Sequence, residues 1–161
     1  MNSCLEFLQA FAELRRRNGM TEPPNGFAYK GIDEFILCEG EQFISAPLPA
    51  GVKRGRMKEC YANAGRLAMS RSDLTYCEGF ACNIIPVMHA WCCTDTGLVV
   101  DPTWKDAEGC DYYGVRIDTD YLRKTILRKQ TWGCIDDWEG GAPMLRIGAK
   151  EQWEAKPHAF H

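Results

Sequence analysis

The stretch from Leu74 to Trp104 constrains the fold more than any other part of the chain. It reads LTYCEGFAC, IIPVMHAWCCT and GLVVDPTW, three runs rich in β-branched and aromatic residues, parted by turn signals at residues 83–86 and at Asp95-Thr96-Gly97. Such side chains favour pleated, half-buried backbone, and short polar or glycine-containing gaps favour hairpins between neighbouring runs. Three consecutive antiparallel strands are therefore expected.

Helices flank this block. Residues 3–17 carry Leu5, Leu8, Phe11, Ala12 and Leu14 near helical spacing, with Ser3 as the cap and Gly19 as the stop. From Glu59 to about Arg71, Cys60, Ala64, Leu67 and Ala68 fall on one stripe, so Cys60 opens a core-facing helix. Beyond a polar loop at 105–111, YYGVRI reads as a further strand and TDYLRKTILRKQ as a helix capped by Asp118 or Thr119. TEPPNG at 21–26 is turn chemistry, and EFILCEGEQFIS reads as two short strands in a hairpin about Gly40. Residues 46–58 form a loop leading into the Cys60 helix, where a substrate would pass, and the tail from Trp132, rich in Gly and Trp, carries no clear pattern. With 161 residues and 45% apolar composition the chain buries one core rather than two, so a single α+β domain is expected.

Composition narrows the function classes. A formal charge of −3, from 19 basic and 22 acidic residues, gives no global field for a polyanion, so a nucleic-acid partner is not expected. No run approaches the roughly 20 apolar residues of a membrane span, and the opening MNSCLEFLQAFAELRRRNG lacks the order of a signal peptide. A cytoplasmic protein without a membrane partner fits. Nine cysteines, an odd number spread from Cys4 to Cys134, do not read as a secreted disulfide framework. Neither Cys77 with Cys82 nor the adjacent Cys92 and Cys93 makes the paired spacing of a zinc knuckle, so these four are read as structural, with no metal and no cofactor implied.

Three residues stand out chemically. Cys60, in the first turn of its helix, faces unpaired backbone N–H groups and the positive end of the helix dipole, which favour a thiolate and a developing oxyanion. His89 is one of three histidines, and the other two, His158 and His161, lie near the C-terminus, so His89 is the internal base. Strand alternation puts Val87, His89, Trp91 and Cys93 on one face. If Asp95-Thr96-Gly97 is a hairpin loop with Gly97 left-handed, Thr94 faces Leu98 and Trp91 faces Asp101, which sets Asp101 diagonal to His89. An Asp so placed orients the imidazole and stabilises imidazolium.

In residue type, order and spacing, residues 58–104 resemble the transglutaminase-like group of papain-like cysteine enzymes. Cys60 with Ala64 looks like the nucleophile opening its helix, Cys77-Glu78-Gly79-Phe80 like the small strand ending in Gly-aromatic, His89-Ala90-Trp91 like the base strand, and Asp101-Pro102-Thr103 like the acid strand. Lys58 stands where the family often has Gly, and Ser72-Asp73-Leu74 where it has a Gly-Ile-Pro turn. The resemblance implies a papain-like core, with Cys60 as nucleophile, His89 as base and acid, and Asp101 as orienter. It also implies acyl transfer from an amide or peptide substrate, with hydrolysis as the first expectation.

Around this triad, Trp91 and Trp104 are packing residues that also wall a cleft, and Gln42 and Asn63 are candidates for a second oxyanion donor. Lys53, Arg54, Arg56 and Lys58 are a solvated run or a contact for an acidic partner. Two readings of other classes remain beside catalysis: a papain-like scaffold that only binds a partner, and a zinc-stabilised interaction module.

Overall fold

The computed structural model describes residues 1–156; His158 and His161 lie outside the described residues. Helix α1 (Ser3–Arg17) is capped by Asn2 rather than Ser3, because the Asn2 carboxamide accepts the amides of Cys4 and Leu5 at 3.0 and 3.1 Å. The same side chain donates to the Tyr112 carbonyl at 3.2 Å, so the cap also ties the helix start to the sheet. Left-handed Gly19 ends the helix as expected.

The hairpin expected about Gly40 does not form. Its first half is helix α2 (Ile32–Glu39), and its second half is strand β1 (Glu41–Phe43), which pairs with a strand far along the chain. Ile32, Phe35 and Ile36 fall at helical spacing and the last two are fully buried; Phe35 packs edge-on against Trp153 at 5.3 Å. Asp33 in the first turn takes a two-bonded ion pair from Arg15 of α1. Burial and this pair outweigh the strand preference of Phe and Ile, a weak and context-dependent term.

Helix α3 (Cys60–Ser70) follows the loop at 46–58, and strands β2 (Thr75–Cys82), β3 (Pro86–Cys93) and β4 (Val99–Val100) occupy the three expected runs. Strand β5 (Asp111–Ile117) and helix α4 (Thr119–Lys129) come next; Asp118 caps α4 through the Tyr121 amide at 2.9 Å. A short helix, α5 (Lys150–Trp153), is the last helix among the described residues. The five strands form one antiparallel sheet in the order β1-β5-β2-β3-β4, so β5 inserts between two earlier strands.

The sheet curls until its two edges meet. Just past β1, the Ile44 amide donates to the Gly97 carbonyl and the Val99 amide to the Ile44 carbonyl, both at 2.9 Å. The inner side holds Phe43, Cys77, Ala81, Trp91, Cys93, Val99 and Tyr112. The outer side carries Ala90 and Cys92 against Ala64 and Ala68 of α3, and continues through Phe35, Ile36, Leu122 and Trp153 of the other helices. The small residues of α3 allow close approach, and the Cys92 thiol donates to the Ala64 carbonyl at 3.2 Å. Buried Glu78 of β2 turns outward and accepts the amides of Cys134 and Ile135 at 2.6 and 3.0 Å, which anchors the glycine-rich tail to the sheet. Among the described residues no helix is long and apolar enough to cross a membrane.

Candidate active site

The hairpin joining β3 to β4 fixes the site. Gly97 adopts φ +83°, Thr94 pairs with Leu98, and the register of Cys92 on Val100 extends to Trp91 opposite Asp101. Asp101 is diagonal to His89, and the two side chains close the gap: His89 Nε2 lies 2.8 Å from Asp101 Oδ2. Both are buried, at 2% and 0% exposure. Strand β4 stops at Val100, because Pro102 has no N–H to continue a ladder. The gap this leaves beside His89 is filled by residues 101–104 and the beginning of α3.

Asp101 is held from four sides. Oδ1 accepts the amides of Thr103 at 2.8 Å and Trp104 at 3.2 Å; Oδ2 accepts the Tyr112 hydroxyl at 2.8 Å in addition to His89. Burial works against this carboxylate, but His89, the Thr103 amide and the Tyr112 hydroxyl together keep it below its ordinary range. For His89 burial likewise disfavours the charged form, yet the hydrogen bond to Asp101, then the neighbouring Cys60 thiol, and both their charges raise the imidazole to about 9. Trp104 lies over the ring at 4.4 Å between centroids and a 31° tilt, screening the His–Asp pair from water. With Nε2 committed to Asp101, Nδ1 is the ring nitrogen left for Cys60.

Cys60 is half-buried at the first position of α3. The first intrahelical bond runs from the Asn63 amide to the Glu59 carbonyl at 2.8 Å, so the amides of Cys60, Tyr61 and Ala62 have no acceptor within the helix. Unpaired amides at a helix start of this kind suit an anion. The residue two before it, Lys58, is left-handed at φ +67°, a conformation that a side chain disfavours.

The loop before Cys60 is pinned across the site. The Gly55 amide donates to the Pro102 carbonyl at 2.7 Å, Arg54 Nη1 to the Trp104 carbonyl at 2.6 Å, and Asn63 Nδ2 to the Arg56 carbonyl at 2.8 Å and Thr103 Oγ1 at 3.0 Å. Gly55 lies so close to the Asn63 carboxamide that any Cβ there would overlap it. Asn63, expected as an oxyanion donor, spends its amide nitrogen on the loop carbonyl of Arg56 and the hydroxyl of Thr103. Gln42 is not brought to the site. It pairs with Tyr113 on the outer face of the edge strand and is exposed, whereas Phe43 beside it turns inward with Trp91. Trp91 is fully buried behind His89, with rings 6.4 Å apart, and is core rather than a surface a substrate touches; its Nε1 has no partner among the described residues.

No match to this chain is found among protein families, curated proteins or solved structures.

Two contributors escaped the sequence reading. Tyr112 reaches Asp101 from β5, a pairing set by strand insertion and not by local pattern; its inward alternation with Gly114 was the only available hint. Gly55 could have been suspected from its place among four cations. Of the other cysteines, Cys38 alone is exposed, and burial, Glu34 and Glu39 push its thiol up. Cys77 and Cys93 lie with sulfurs 3.4 Å apart inside the curl, where the hydrogen bond from Cys77 and the Arg116 guanidinium pull Cys93 down. No group of three or more His, Cys, Asp or Glu side chains is arranged to hold a metal ion among the described residues.

Proposed function

We propose that this chain is a cysteine-dependent acyl-transfer enzyme of papain-like, transglutaminase-like type that hydrolyses an amide or peptide bond. The observation that carries the reading is a buried imidazole bonded on one nitrogen to Asp101 and influenced on its other side by the Cys60 thiol, at a helix start with free amides. Left-handed Lys58 supports it as well, because the resembled family often places glycine there.

In the reaction, Sγ of the Cys60 thiolate forms a bond to the substrate carbonyl carbon, and the carbonyl oxygen becomes an oxyanion facing the first-turn amides. The C–N bond breaks as the His89 imidazolium gives its proton to the departing amine. Water then adds to the thioester, giving one proton to His89; the C–S bond breaks, the carboxylic acid product leaves and gives its remaining proton to solvent, and Cys60 is left as thiolate beside imidazolium. Asp101 keeps its charge throughout and orients the ring, with Tyr112 and two amides holding Asp101 in turn.

One observation also favours a scaffold that binds without reacting: Trp104 and the pinned loop leave His89 only 2% exposed. Acylation decides between the two. The protein is incubated with an N-acetylglycine nitrophenyl ester, quenched in acid and digested, and acyl groups are mapped by mass spectrometry. Acyl groups on Cys60 ahead of exposed Cys38, lost in His89→Ala, are the expected result. Acylation of Cys38 first, or none at Cys60, leaves only the binding scaffold.

A further inference from the structure

Many basic residues of this acidic chain are paired with carboxylates, but two on the flank of α3 are not. Arg15, Arg17, Lys30, Arg71, Arg116, Arg123 and Lys150 all have carboxylate partners within 4.0 Å. Lys58 and Arg66 have none among the described residues, although both are exposed. Together with Trp132 they line a depression of about 390 Å³ on the flank of the first two turns of α3, bordered also by Glu59, Tyr61 and Ala62, the sequence neighbours of Cys60. Arg66 lies over the Trp132 ring at 5.4 Å, and that ring is seated where a Cβ of Gly65 would stand. Glu59 borders the same depression and faces Arg56 at 4.0 Å, so the lining carries the two positive charges of Lys58 and Arg66 against one carboxylate already shared with Arg56. Asp136, near the tail side, is engaged by Lys129 at 3.3 Å.

One unpaired cation over an indole, with a second beside it, suits a carboxylate on a short apolar stem: the charge meets Lys58 and Arg66, and the methylenes lie along the indole edge. We propose that this depression is the subsite by which the enzyme selects substrates carrying an Asp or Glu side chain beside the reacting carbonyl. The inference rests on the acyl-transfer reading for its meaning, but binding is measurable without the reaction.

The test uses the full chain with Cys60→Ser and fluorescence anisotropy of short fluorescein-labelled peptides, one set containing Glu and the other Gln at the same positions. Two exposed ion pairs give a preference of about tenfold for the Glu set, shrinking in molar salt as the screening length falls to about 3 Å. Arg66→Glu is expected to abolish that preference and to gain binding of Lys-containing peptides, which a misfolded variant would not do. Lys124→Glu, an exposed cation on α4, leaves the preference unchanged. Equal binding of the Glu and Gln sets, no binding of either, or an unaltered preference in Arg66→Glu overturns the proposal. Tighter binding of an oligothymidylate than of Glu peptides of equal charge overturns it in favour of nucleic acid. Because the sulfur is absent, a failure here is separate from a failure of Cys60 to acylate.

Discussion

Replacing Asp101 with Asn keeps the shape of the side chain and removes its charge, so its consequence for His89 follows from the geometry. An imidazole moved from 6.5 to about 9 is stabilised in its protonated form by about 3 kcal/mol in the folded chain. Because the folded value lies above the unfolded one, that stability is fully present below about pH 6.5 and is lost as the pH rises through 9. Asp101, held low, adds stability above its ordinary value near 3.8, lost as the pH falls below it. Asp101→Asn leaves the burial of His89 and removes its main stabilising partner, so the imidazole midpoint should fall to about 7 or lower. The assay is ¹⁵N NMR of the imidazole ring, assigned with His89→Gln, alongside urea unfolding at about pH 6.5 and about pH 9.5. Subtracting the pH dependence of His89→Gln removes the cysteine and tyrosine contributions common to both proteins. The remaining loss should be about 3 kcal/mol in the wild type and under about 1 kcal/mol in Asp101→Asn. A midpoint still near 9 in Asp101→Asn would refute the assignment of that stabilisation to the carboxylate.

Other outcomes follow from the same contacts. Iodoacetamide should label Cys60 ahead of the more exposed Cys38, with the lead lost in His89→Ala, as read by peptide mass spectrometry. Tyr112→Phe removes a hydroxyl bonded to a buried carboxylate, and urea unfolding should register a loss of roughly 1.5–3 kcal/mol while Cys60 still reacts. Gly55→Ala drives a methyl group into the Asn63 carboxamide and should lower the Cys60 acylation rate more than it lowers the melting temperature, since the disturbance is confined to the loop across the site.

The parts of the site that were legible in the sequence are those governed by a single turn. Asp95-Thr96-Gly97 dictates the pairing of Thr94 with Leu98, and from that pairing the approach of Asp101 to His89 follows two residues away. The helix at Cys60 was legible because its stripe is local. What could not be read depends on distant partners. Phe35 and Ile36 look like strand residues until Trp153 covers them, and β5 enters between β1 and β2 with nothing in YYGVRI to say so. Tyr112 became part of the site through that insertion. Asn63 and Gln42 looked equivalent as amide donors, but one is bound to the loop and the other faces away.

The meeting of the sheet edges at Ile44 and Leu98 has a consequence for how molecules of this protein behave toward one another. An open sheet offers a row of unpaired N–H and C=O groups to any passing strand, an invitation to edge-to-edge aggregation. Here the outermost strands are only three and two residues long, and the backbone at their meeting point is already paired, Ile44 to Gly97 and Val99 to Ile44. A segment rich in valine, tryptophan and cysteine thereby presents little unpaired edge backbone on which a second copy could add a strand.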